Sequence, residues 1–259
     1  MVLEIASVSN PKVKAAVKLR DNAKERRRTG TFFLEGLRLC RDAARCGFLA
    51  ETVFFTLDFK EKFYTDFLEI TANAKTTFSV SEEVMRKLSD TVNPQGVVSV
   101  CAIPTFDNLD NSGLYLALEK TADPSNLGAI ARSAEAFGVK GIYISSESCD
   151  PYSPKSLRAG MGALLRLPII VCSNFLETLK ELKMGGATLY ASVVTGEAND
   201  VKTVIPSDYS VLLIGNEANG LSREIVDISE KVTIKMQGRA ESLNAAAAAA
   251  VLIWEFLRG

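Results

Sequence analysis

The sequence contains no histidine among its 259 residues. That absence excludes Ser-His-Asp and Cys-His nucleophilic catalysis, histidine general bases and imidazole metal sites. Cysteine is scarce: Cys40, Cys46, Cys101, Cys149 and Cys172 are odd in number, scattered, and form no C-x-x-C pair. They read as reduced, mostly buried thiols rather than as a disulfide framework, a redox couple or a zinc site. No apolar run reaches the roughly 20 residues that a membrane-spanning helix needs. A basic-then-apolar leader is also missing, because Pro11 and four charged residues interrupt Met1–Lys18. A cytoplasmic protein is expected, without a metal, whose chemistry rests on Arg, Lys, Glu, Asp, Asn, Ser, Tyr or the backbone.

Charge of one sign is nearly balanced overall, at −1, but not locally. Residues 1–50 hold eleven Lys and Arg against five acids, an excess of six. A basic patch of this kind can bind phosphates even when the global charge hides it. The same run also fits a solvated amphipathic helix face, and the charge count alone leaves both readings open.

The length allows one large or two modest domains. Residues 1–105 carry the basic run, then Phe32–Gly36, Thr52–Thr56 and Gly96–Ile103. The last two are β-branched and aromatic-rich, as short buried strands are, and helical patterns fall at Glu35–Cys46 and Glu82–Leu88. Pro104–Gly113 is polar and turn-rich, so residues 106–113 are expected to link this α/β unit to a second one over 114–259. In the second unit strands are expected at Leu114–Glu119, Gly141–Ser145, Ile169–Val171, Thr188–Val194, Val211–Ile214 and Val232–Ile234. Helices alternate with them, which predicts a parallel sheet with helices on both faces. The alanine run Ala245–Ala250, followed by Leu252, Ile253, Phe256 and Leu257, predicts a closely packed final helix.

Three polar stretches punctuate this unit. Asp123 and Ser125 flank Pro124 and suit a helix start. Asn126 falls in that first turn and Arg132 further along, where a cationic fork can hold a phosphate. Gly215-Asn-Glu-Ala-Asn-Gly220 follows an apolar strand, at the carboxyl end where open α/β folds bind ligands. It is neither G-x-G-x-x-G nor a Walker loop, so dinucleotide and NTP sites lack their fingerprints. Ser242-Leu-Asn244 opens the last helix, with Ser242 in position to cap it. Each stretch by itself is also an ordinary turn or cap.

Taken together, Asp123–Arg132, Ile214–Ser222 and Met236–Ala245 resemble the three signature motifs of the SpoU (TrmH-like) RNA ribose methyltransferases, in the family's order. Asp150–Gly162 is similar to the loop between the first two motifs, and the match covers about residues 114–259. Phe33-Leu-Glu-Gly-Leu-Arg38 resembles the ribosomal-protein-like substrate-binding domain fused to many rRNA-acting members. Two positions depart from the family pattern. Ala218 stands where glycine is usual, which matters if that residue needs positive φ, and Lys235 replaces a proline.

The resemblance implies a trefoil-knotted α/β catalytic domain, a homodimer through the final helix, and S-adenosylmethionine bound in the knot. Ser192, Ile214, Gly215, Ile234, Met236 and Leu243 would surround that cofactor. The implied reaction is methylation of an RNA ribose 2′-hydroxyl. Arg132 would hold the target phosphate and stabilise charge on the oxygen, since a guanidinium stays protonated. Asn126, Glu217, Ser242 and Asn244 would orient the groups. Arg20, Arg26, Arg27, Arg28, Arg38 and Arg158 are the candidate RNA-contacting cations. The extra N-terminal domain favours rRNA over tRNA by family analogy. A non-catalytic RNA-binding assembly factor of the same fold, and a small-molecule enzyme using a nucleotide, are the competing expectations.

Overall fold

A computed structural model of the chain describes residues 2–106, 109–195 and 197–258. It divides into two compact units, residues 1–104 with 152–166, and residues 105–151 with 167–259. The expected linker at 106–113 includes Asp107 and Asn108, which lie outside the described residues.

The first unit is built on five strands: β1 (Val2–Ile5), β2 (Thr31–Glu35), β3 (Ala50–Phe55), β4 (Thr77–Val80) and β5 (Val97–Ala102). Their order is β1-β4-β3-β5-β2, with β5 antiparallel to both its neighbours and the other pairs parallel. Alternation sorts the residues of β2 and β3 to two faces. Phe33 and Phe54 turn to a core with Val13, Phe78, Val84, Met85 and Val98. On other contacts, Phe32 meets Phe48 and Tyr152, and Phe55 meets Phe67. Caps set the helix starts. Asn10 accepts from the Lys12 N–H at 2.9 Å ahead of Pro11, and Asn22 accepts from Lys24 at 2.8 Å.

A boundary drawn along the chain misses the segment Tyr152–Arg166, which belongs to this first unit although the sequence places it within the second. The Tyr152 ring lies 4.8 Å from that of Phe32, and Leu157 is fully buried. Arg166 Nη1 donates to Asp42 Oδ2 at 2.9 Å. The turn before it is tight: a Cβ on Gly162 would come within 2.4 Å of that same carboxylate.

The second unit holds seven parallel strands: β6 (Gly113–Leu118), β7 (Ile142–Ser145), β8 (Ile169–Cys172), β9 (Thr188–Ser192), β10 (Asn199–Asp200), β11 (Tyr209–Ile214) and β12 (Glu230–Thr233). Their order is β10-β12-β9-β11-β6-β7-β8. The two central strands, β11 and β6, are buried almost throughout, the near-continuous apolar runs of a sheet covered on both faces. One face packs Tyr115, Leu179, Leu189, Val211, Leu213 and Ile225 together. The helix Pro124–Phe137 starts on Asp123, whose Oδ1 accepts from the Ser125 N–H at 2.9 Å, and stops on Gly138 in the left-handed region. The last helix, Ala245–Leu257, packs along it, and Trp254 lies 5.5 Å from Phe137. Its cap is Asn244 rather than the expected Ser242: Asn244 Oδ1 accepts from Ala246 at 2.9 Å, and Ser242 is exposed two residues before. Among the described residues no helix is long and apolar enough to cross a membrane.

Leu213 is fully buried at the centre of the larger sheet. Leu213→Ala is expected to lower the unfolding free energy by about 2–5 kcal/mol. Urea unfolding followed by the fluorescence of Trp254, the sole tryptophan, measures it, and an unchanged midpoint contradicts the assignment of that strand to the core.

Candidate active site

The three polar stretches meet at the carboxyl ends of β6, β9, β11 and β12, where open α/β sheets bind ligands. The chain leaves β6 through Glu119, which is 6% exposed. Glu119 N–H donates to the Ile214 carbonyl at 2.9 Å, and Glu119 Oε2 accepts from the Ser222 N–H at 2.7 Å. One buried acid therefore ties the loop after β11 to the end of β6, and its charge is spent on a backbone donor. Lys120 follows in the left-handed region at φ 53°. Ser145 Oγ accepts its N–H at 2.9 Å, and its carbonyl accepts from Asn216 Nδ2 at 2.8 Å. Those bonds hold a backbone conformation that L-residues otherwise avoid.

The loop after β11 is closed on itself. Asn216 and Gly220 exchange two backbone hydrogen bonds, of 3.0 and 2.9 Å. Asn216 Oδ1 accepts from the N–H groups of Ala218 and Asn219 at 3.0 and 3.1 Å, the self-bonding that makes asparagine a turn residue. A Cβ on Gly215 would lie 2.2 Å from the Gly220 carbonyl carbon. The glycine is required there by the loop's own closure. Gly220, at φ +68°, takes the left-handed position, and Ala218 is not among the residues with positive φ, so the alanine fits. Lys235, in place of proline, reaches Asp200 at 3.8 Å.

Asn126 joins the other two stretches. Its Nδ2 donates to Glu217 Oε1 at 2.8 Å, and its Oδ1 accepts from Asn244 Nδ2 at 3.2 Å. Asn244 in turn caps the last helix. The result is a directed chain: helix N–H groups to Asn244, Asn244 to Asn126, Asn126 to the Glu217 carboxylate. Every donor points the same way, from the positive pole of a helix toward an anion, so each bond polarises the next.

Beside this chain lies a cleft of about 400 Å³, part of it open solvent, at the ends of β9 and β12 and under the last helix. Ser192, Ile234, Met236 and Leu243 line it, as does Ser242. Ile214, the last residue of β11, and Gly215 after it, also expected at a cofactor, are not among the residues that line it. Sequence reading missed Val193, Val232, Thr233, Ala248 and Leu252 on the wall. They continue the same strands and the inner face of the last helix, so strand ends carried one residue further would have found several of them. It also missed Glu119, an acid closing an apolar strand, which is the signal that marks it.

Arg132 is exposed on the helix Pro124–Phe137, and its guanidinium has no hydrogen bond or ion pair among the described residues. Among the described residues no hydrogen bond joins it to Asn126. Burial pushes the Cys149 thiol up to about 11, with Asp123, Asp150 and Glu217 adding to the effect. That thiol stays protonated at neutral pH, and no group of three or more metal-ligating side chains occurs among the described residues.

The candidate cations of the first unit divide sharply. Arg26 is 4% exposed and donates to the carbonyls of Leu19 and Arg20. Arg20 donates to the carbonyls of Leu88 and Ser89 at 2.9 and 2.7 Å and pairs with Asp21. Both are structural, which corrects their expected place on an RNA face. Arg28 shares Glu25 with Lys18, and those two bonds hold the Glu25 carboxyl down at about 2. Arg158 pairs with Asp90 at 2.8 Å. Arg27 and Arg38 are exposed and without partners among the described residues.

Comparison with known proteins identifies the family of the chain. The model of the SpoU rRNA Methylase family matches residues 113–254, and that of the MRM3-like substrate binding domain matches residues 10–99. The chain is 32% identical to an uncharacterized tRNA/rRNA methyltransferase of Synechocystis, over 99% of this chain and 94% of that protein. It is 29% identical to the 23S rRNA (guanosine(2553)-2′-O)-methyltransferase RlmP of Bacillus subtilis, over 99% of both. The crystal structure of an AdoMet-bound rRNA methyltransferase from Sinorhizobium meliloti superposes with a TM-score of 0.87 at 30% identity, covering 98% of this chain and 97% of that one.

Two glycine variants separate the loop's constraints. Gly215→Ala forces the loop open and is expected to cost about 1–3 kcal/mol, as overpacking does. Gly220→Ala meets no atom within 4 Å and is expected to cost only the left-handed penalty of about 1 kcal/mol. Thermal unfolding of the two checks the order, and a reversed order contradicts the closure described here.

Proposed function

The chain belongs to the SpoU rRNA Methylase family, and from that premise we propose that it methylates a ribose 2′-hydroxyl of rRNA, using S-adenosylmethionine. The observation that carries the proposal is the hydrogen-bonded chain Asn244–Asn126–Glu217, which brings residues of all three motifs to one place beside a small-molecule cleft. The RlmP relative acts on a 2′-oxygen of 23S rRNA, and the Sinorhizobium neighbour binds AdoMet.

The lining of the cleft suits that cofactor in kind: its walls are apolar side chains with the hydroxyls of Ser192, Thr233 and Ser242 among them. S-adenosylmethionine supplies a methyl group already activated on a sulfonium sulfur. The protein's residues have to align the 2′-oxygen and let it lose its proton. Arg132, with an unoccupied fork, is assigned to the phosphate of the target nucleotide and to the charge that develops on the oxygen. A guanidinium keeps its protons, so the proton passes to a phosphate oxygen or to water. Asn126 and Asn244 fix the Glu217 carboxylate, and Ser242 faces the same cleft. Ile214 and Gly215 act at one remove, by shaping the strand end.

The same proposal includes a homodimer. Ala247, Val251 and Trp254 are exposed along the last helix at spacings of four and three residues, one stripe of that helix. Trp254 is 54% exposed and Val251 39%, beside Phe137 at 39%. A second copy would cover that surface. A trefoil knot is proposed for the segment after β12, which has to pass β9 and β11 to bring Asn244 to Asn126. The basic first unit would hold the RNA through Arg27 and Arg38, in the cytoplasm, where rRNA is found in bacteria.

Arg132→Ala is expected to lower 2′-O-methyl transfer to rRNA by about a hundredfold or more and to leave S-adenosylmethionine affinity unchanged. Mass spectrometry of digested rRNA and calorimetry measure the two. Retained transfer contradicts the role of Arg132, and label confined to tRNA contradicts the substrate. Trp254→Asp is expected to move the protein from dimer to monomer in sedimentation, and a wild-type monomer contradicts the interface.

A further inference from the structure

The first unit contains a second cleft, of about 770 Å³ including open solvent, that shares no lining residue with the cofactor cleft. Its floor is apolar, formed by Leu39 and Met161. Arg38 and Arg158 stand on its wall, 120 residues apart in sequence, with the side-chain amides of Asn93 and Gln95. Arg38 is unpaired. The Arg158 pair with Asp90 lies in solvent, with the two side chains 42% and 45% exposed, so it is weak and exchangeable.

The wall is preorganised. Glu35 accepts from the Asp90 and Thr91 N–H groups at 2.9 and 3.3 Å and from the Thr91 hydroxyl, which fixes the turn that leads to Asn93. Gln95 Oε1 accepts from the Leu37 N–H at 2.9 Å, so its Nε2 remains to donate. No partner of the Asn93 amide occurs among the described residues. Met161 sits in the left-handed region at φ 48°, one of two non-glycine residues there among the described residues. Such strain is tolerated where surrounding structure fixes a functional position. Arg20 is close enough to feel both Glu35 and Asp90, and it offsets part of their charge.

We infer that this cleft binds one unpaired nucleotide of the RNA substrate, its phosphate on Arg38 and Arg158, its base on the Met161–Leu39 floor, and its edge at Asn93 and Gln95. The combination selects the ligand. Two guanidinium forks suit a phosphate, an apolar floor suits a base face, and amides offer both donor and acceptor to a base edge. A base within a duplex has its pairing edge occupied and cannot enter, whereas RNA loops and bulges present theirs. This inference rests on the reading of the protein as RNA-binding.

The test uses the full chain and measures binding of a mixed-sequence single-stranded RNA 12-mer and of the same strand annealed into a duplex. Arg38→Gln and Asn93→Ala are each expected to weaken single-strand binding about tenfold, the loss expected of one phosphate or base contact. Both side chains are exposed, and an unchanged melting temperature shows that the fold is kept. Unchanged single-strand affinity in both variants overturns the cleft assignment, and equal losses for strand and duplex overturn the unpaired nucleotide. Methyl transfer by the wild-type protein is measured in parallel on rRNA. Its absence, with the tenfold losses present, removes the proposed reaction and leaves the cleft standing. Its presence, without the losses, does the reverse.

Discussion

Asn126 is the point on which the site depends. It stands in the first turn of the helix after β6, and its single amide is used at both ends, giving to Glu217 and taking from Asn244. An amide flipped end for end would put Nδ2 against an Asn244 donor and Oδ1 against a carboxylate, two repulsions in place of two bonds. Asn244 is bound to one orientation in the same way, because its oxygen caps the last helix. The helix cap, the two asparagines and the carboxylate therefore fix one another, and with them the arrangement of segments that are 91 and 118 residues apart. Aspartate at 126 would place a carboxylate against Glu217 and lose the donor. Glutamine would keep the groups and misplace them by one methylene.

The parallel sheet supplies the platform for that chain, and it does so by burial. Both β6 and β11 end where their apolar runs end, so the first polar residues after them emerge on one edge. Glu119 and Gly215 then keep the loops close. The buried carboxylate bonds to the Ser222 N–H, and the glycine lets the backbone of residues 220 and 221 come within van der Waals range of a strand end. Neither residue needs to touch a ligand to matter. The first unit obeys a different logic: its β-bonded core is independent, and its basic character is reduced by internal pairing to a few free guanidinium groups.

Much of this was legible in the sequence. Strand–helix alternation after residue 113 gave the parallel sheet, and capping rules gave the helix start at Pro124. The three motifs named Asn126, Glu217 and Asn244, which the fold brings together, because each sits at a helix start or in a turn whose residue types are distinctive in sequence; Arg132, from the same motifs, is not joined to them. What sequence could not order was long-range. β1 and β4 carry only four residues each and show no distinctive pattern. The segment Tyr152–Arg166 reads as part of the second unit until the Tyr152 ring is found against Phe32. Arg20 and Arg26 look like surface cations in a basic run, yet each is consumed by carbonyls at the end of the preceding helix or across the unit. A charge pattern records the residue type and not the acceptor it faces. Ser242 and Asn244 are equally good caps by type, and only the geometry of the last turn chooses between them.

The most direct measurement is a double-mutant cycle between Asn126 and Glu217, read as kcat/KM for methyl transfer to rRNA. If the two act through one hydrogen-bonded chain, Asn126→Ala and Glu217→Ala together cost little more than either alone, with a coupling of about 0.5–3 kcal/mol. Losses that simply add, to within about 0.5 kcal/mol, would show that the two residues work separately, and the chain through Asn126 would not be what holds the site together.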